Sequence, residues 1–256
     1  MRKDKLSPRG LEIGFEGGLV EEVTAHGGIG LLVETGRRGG VMELADRVLP
    51  AKANPKGLGQ GQTVESFVLL SALGGECLED FERLREDRGL EAMVGHEFPA
   101  PSTARSFLDR FHDEGALAER PVQGSFIPRE PAGLEGLAEL VRQSLRAYVS
   151  ALSPGRHLTL DVDAHLVASA KREALPTYEG YRGYQPLLVT WAETGLVAAD
   201  QFRDGNVPAG KGIAEVVDEA SERPHARHGG RVVREGAGRR ATETRRRDQG
   251  GRRGGQ

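Results

Sequence analysis

Residues 158–163 read Leu-Thr-Leu-Asp-Val-Asp, and that alternation restricts the chain around it to a half-buried β-strand with one apolar face and one acidic face. Side chains two residues apart on a strand share a side. Leu160 and Val162 therefore point into a core, while Asp161 and Asp163 point together the other way. Two neighbouring carboxylates repel unless a cation compensates, so the pattern points to a divalent metal. An exposed strand face with two solvated aspartates is the plainer reading of the same residues.

The rest of the chain reads as mixed α/β. Leu19–Thr24 and Gly30–Thr35 carry β character between Gly-Gly pairs, Val41–Val48 reads as a short helix, and Pro50–Gly61 as a connector. From Thr63, an expected N-cap, Phe67, Leu70 and Leu73 fall at helical spacing, and Gly74-Gly75 ends that helix. Short helices follow at Cys77–Arg85, at Leu90–Val94, and from an expected cap at Ser102 to about His112. Such a cluster is compatible with a helix-turn-helix module, and equally with plain packing. A linker covers residues 120–133, and Leu134–Leu152 is the longest helix, stopped by Pro154 and Gly155. The acidic strand spans His157–Asp163. A polar segment runs to about Gln185, then strands at Pro186–Ala192 and Leu196–Arg203 flank a turn at 193–195. Trp191 belongs to the core, and Arg203 to Asn206 read as a structural turn.

Composition adds one asymmetry. The formal net charge is −3 over 256 residues, but residues 221–256 hold 11 Arg against 4 acidic residues, which leaves residues 1–220 at −10. The segment has no Leu, Ile, Met, Phe, Tyr or Trp and contains eight Gly, so it is expected to be disordered. One cysteine, Cys77, excludes an internal disulfide framework. No apolar run approaches a membrane span and the N-terminus lacks a signal pattern, so a cytoplasmic protein is expected.

Three motifs in order, LTLDVDA, KREALPTYEGYRGYQPLL and FRDGNVPA, resemble the DDE transposases of bacterial insertion sequences, in the subgroup called DDE domain group 1. The likeness runs from about Leu19 to about Ala220. It implies a flexible lead-in over 1–18, a mostly helical DNA-binding-like region over 19–120, part of an RNase H-like catalytic core over 134–220, and a tail over 221–256. It also implies DNA cleavage and strand transfer by phosphoryl transfer, with Mg2+ or Mn2+ as cofactor. Transposon ends and target DNA would be the partners, with itself or an intact transposase in an oligomer.

Asp163, which precedes the small Ala164 as the family's aspartate does, is the first choice for metal ligand and catalytic residue; Asp161 is the second. Lys171, Arg172 and Arg182 are expected on phosphates, with Tyr178 and Tyr181 as stacking surfaces. His157 and His165 receive no role. The family also needs a second Asp on a later strand and a Glu on a later helix. Here a helix starting at Lys211–Ala220 gives way to the Arg/Gly tail, read as an out-of-frame translation or, alternatively, a nucleic-acid grip. The expectation is a truncated transposase without strand-transfer activity of its own; the alternative is a non-catalytic remnant that binds transposon ends.

Overall fold

The computed structural model describes residues 23–222 apart from 53–55, 114, 116–117 and 153–158. The lead-in, His157 and the Arg/Gly tail beyond residue 222 lie outside the described residues.

The chain then runs through helices α1 (Gly30–Arg38), α2 (Val41–Val48), α3 (Gln60–Ala72), α4 (Phe81–Glu86), α5 (Arg88–Val94) and α6 (Pro101–Asp109). They bury apolar stripes in two adjoining clusters. Val33, Leu69, Leu70, Phe81, Leu84, Leu90, Val94, Phe98 and Ala104 make one; Leu44, Ala45, Leu49, Phe107, Phe111 and Leu140 make the other. Phe67 joins them, its ring 5.3 Å from Phe81 and 5.6 Å from Phe107. Fully burying a side chain such as Phe81 contributes about 1.5–3 kcal/mol.

Three local expectations are corrected here. Gly30–Thr35 is helical, not extended: packing of Val33 in the first cluster overrides the β preference of the Leu-Leu-Val run. Helix α3 starts before Thr63, with Gly59 as its N-cap; the Gly59 N–H donates to Gln62 Oε1 at 2.8 Å, and the Thr63 hydroxyl donates back to the Gly59 carbonyl. Helix α6 is capped by Ala100 rather than Ser102, because Pro101 takes the first helical position, where a missing N–H costs nothing.

Helix α7 (Ala132–Leu152) unites the two halves of the chain. Its Leu140 packs with the helices, while Leu145 and Val149 pack on the sheet. The sheet has the order β1–β5–β6, all antiparallel, from β1 (Leu160–Ala164), β5 (Leu187–Trp191) and β6 (Leu196–Gln201). Helix α8 (Ile213–Glu222) closes the apolar face with Val216 and Ala220, and Trp191 is buried there as expected.

The stretch read as a polar segment holds a second small sheet: β2 (Val167–Ala168), β3 (Leu175–Pro176) and β4 (Arg182–Tyr184), in the order β2–β4–β3. Two glycines allow it. A Cβ on Gly183 would strike the Val167 carbonyl, and one on Gly205 would strike the Gly183 carbonyl. Three backbone segments thus stack without side chains between them, which is the physical content of the glycines in YRGYQ and RDGN.

Candidate functional site

Strand β1 presents its residues as the alternation requires. Leu160, Val162 and Ala164 are half-buried against the core, and Asp161 and Asp163 are exposed on the other face. The strand register sets Asp161 opposite Thr190 and Asp163 opposite Leu188. Successive same-face residues lie about 7 Å apart along an extended strand, so one cation with its waters spans the pair. Neither carboxylate takes a hydrogen bond or ion pair from any other described side chain, which leaves their oxygens to solvent. The described residues gather no cluster of three or more His, Cys, Asp or Glu that could hold a metal.

Asp200 was missed by the sequence reading and shares this face. Leu188, beside Asp163 in one cross-strand row, has Asp200 on its other side. Strict alternation from the core-facing Leu196 would turn Asp200 inward. The register shifts between Val189 and Thr190, so Ala198 and Ala199 are both buried and Asp200 faces out.

The basic and aromatic segment emerges from the small sheet. Lys171 is exposed, Arg172 is almost wholly exposed and pairs with Glu173 at 3.3 Å, and Tyr178 and Tyr181 are 75% and 37% exposed. Arg182 differs from these. Its guanidinium donates to the carbonyls of Ala174 and Arg172 and so closes the loop between them. His165 is exposed, with its backbone N–H donating to the Pro186 carbonyl.

The RDGN turn is structural, as expected, but its two charges are entirely buried. Arg203 donates to the carbonyls of Gln185, Ala209 and Lys211. Desolvation lowers its pKa from the ordinary arginine value. Asp204 accepts from Arg120 at 2.5 Å. Burial pushes its carboxyl above the usual range, against the pull of Arg120. Arg120 also donates to the Glu173 carbonyl, Asn206 to that of Gly124, and Lys211 to Ser125, so residues 120–125 are strapped along the turn. No composition cue marks this network, because Arg120 lies 84 residues before Asp204.

A family model described as transposase DDE domain group 1 matches residues 3–235. The chain belongs to that family. The match begins before Leu19 and continues past Ala220, the limits set from the motifs alone. No curated protein and no solved structure matches the chain. Work on DNA is what this DDE transposase family implies, and such enzymes generally use a divalent metal. Among the described residues, no helix is long and apolar enough to cross a membrane. At the coarse level the expected mixture of helix and sheet holds for this DDE-family chain, with its two small antiparallel sheets.

Proposed function

We propose that this chain is a transposase of a bacterial insertion sequence acting in the cytoplasm, cutting and joining DNA by metal-dependent phosphoryl transfer with Asp161 and Asp163 as its metal-holding pair. The observation that carries the proposal is the exposed face of β1, where two carboxylates stand side by side and no side chain among the described residues pairs with them. The donor set suits Mg2+ or Mn2+: hard oxygen ligands, few in number, leaving room for waters and substrate phosphates. A metal bound there would polarise a phosphoryl oxygen and favour ionisation of an attacking water or hydroxyl. The protein's own part is to fix the two carboxylates on a rigid strand, itself held by β5 and backed by α7 and α8. Lys171 and Arg172 attract the DNA backbone, and Tyr178 and Tyr181 offer ring faces to bases. An RNase H-like core is the fold reading that suits an acidic strand at the edge of a three-stranded antiparallel sheet with helices on its apolar face.

A second reading is a DNA-binding protein without chemistry. It is favoured by the absence, among the described residues, of a third ligand beside the pair. Purified protein incubated with Mg2+ and DNA bearing the element's ends separates the two. Metal-dependent nicked or joined products that vanish in Asp163→Asn support transposition. End-specific binding without products supports the second reading.

A further inference from the structure

Beyond the carboxylates, the same face of the sheet continues as an exposed apolar surface that the site described above does not use. From Gly183 to Trp191 odd-numbered residues are buried and even-numbered ones face outward, so Tyr184, Pro186 and Leu188 lie on the side of Asp163. On the flanking strands the exposed positions include Asp163, His165 and Val167, and Asp200 and Phe202. Backbone pairing keeps them in rows: Asp163, Leu188 and Asp200 in one; His165 and Pro186 in the next, joined through the His165 N–H; then Val167 and Tyr184. Phe202 is 48% and Val167 45% exposed, and the Phe202 ring lies 4.9 Å from that of Tyr184, tilted by 45°.

Large apolar groups this exposed, gathered in one patch, mark a binding surface. Aromatic rings accept any base, since every base has a π-face. The Val167 and Tyr184 row lies two rows, about 14 Å, beyond Asp163, and Lys171, an exposed cation, lies three residues past the end of β2. We infer that Phe202 and Tyr184, with Val167 beside them, form a stacking platform for an unpaired base of the DNA strand whose phosphate lies at the carboxylates. The inference rests on the proposed function for what brings DNA there. A base at this position has left the duplex stack, which favours single-stranded or frayed ends over intact duplex.

The test uses the full chain, a short single strand carrying a fluorescent adenine analogue, and the matching blunt duplex. Stacking on a ring quenches the analogue, and the single strand should bind more tightly than the duplex. Phe202→Ala should weaken single-strand binding about tenfold and abolish the quenching, with duplex binding unchanged. Phe202→Leu keeps the apolar packing and removes the ring; it should lose the quenching as well, and guards against a folding defect in the alanine variant. Phe202→Trp should retain it. Asp163→Asn should keep the quenching. Quenching by the wild-type chain with no metal-dependent product from it would sink the metal reading and leave the platform standing. Wild-type quenching in Phe202→Leu overturns the inference. So does concentration-dependent self-association that Phe202→Ala abolishes with no change in DNA binding, since the patch would then belong to a second copy of the chain.

Discussion

Asp163 and Asp200 occupy one cross-strand row on either side of Leu188, and their side chains leave the same face of the sheet. At about 4.8 Å per strand they stand about 10 Å apart at the backbone. They are too distant for a shared proton. The irregular register at Val189 and Thr190 creates this relationship, and it turns a hairpin with an ordinary apolar pattern into one with acidic groups on both outer strands.

Gly183→Ala and Gly205→Ala should each destabilise the fold by about 1–3 kcal/mol, the usual cost of overpacking. Each new methyl group meets a carbonyl of a neighbouring backbone segment, which has no rotamer to yield. Urea denaturation followed by circular dichroism measures the loss. Gly180→Ala offers a comparison of another kind: nothing lies near its Cβ, and its φ of 89° confines any penalty to backbone strain.

Arg120→Ala should cost about 3 kcal/mol, because Asp204 would be left as a buried carboxylate with no ionic partner. Its second oxygen already lacks a hydrogen-bond partner in the structure. Adding Asp204→Asn to Arg120→Ala should restore part of that loss, and a double-mutant cycle by chemical denaturation reads the coupling. Because burial raises the Asp204 pKa, the folded state binds its proton more readily than the unfolded state does. Its contribution is therefore greatest in acid and falls as pH rises through the raised value.

Glu65 shows the opposite sign. It accepts from Arg37 at 2.9 and 2.8 Å and from His96 Nε2 at 2.9 Å. Burial is the largest single influence and acts upward, but the bonds from His96 and Arg37 together hold the carboxyl below its ordinary value. The folded state thus binds fewer protons at Glu65. The stability it contributes is complete above the unfolded value of about 4.3 and is lost as pH falls through the lower folded value. Glu65→Gln should lose about 1–3 kcal/mol near neutrality and flatten the acid limb of the stability curve. An acid limb unchanged from wild type would remove Glu65 as its source.

Much of the geometry of the candidate site was legible because it is local. The apolar–acidic alternation placed Asp161 and Asp163 on one face, and the turn at 193–195 placed the hairpin partner. What escaped was set by distant partners. Asp200 is turned outward by a bulge that no residue type announces, and the two-residue strand β2 lies against β4 because Gly183 lets the two backbones meet. Helix α1 looked extended because its Leu-Leu-Val run has β preference, and only the cluster around Phe81 and Leu90 makes the helical stripe worthwhile. For Arg182 the sequence offered only its charge; that its guanidinium also closes the 172–182 loop depends on carbonyl positions.

The most direct measurement is a Mn2+ titration of the isotopically labelled protein, followed by paramagnetic broadening of its backbone amide signals. If the acidic face of β1 holds the metal, Asp161, Asp163 and their cross-strand neighbours Thr190 and Leu188 broaden first, and the effect disappears in the Asp161→Asn, Asp163→Asn double variant. Broadening that begins elsewhere, or that persists in the double variant, would contradict a metal site on this strand.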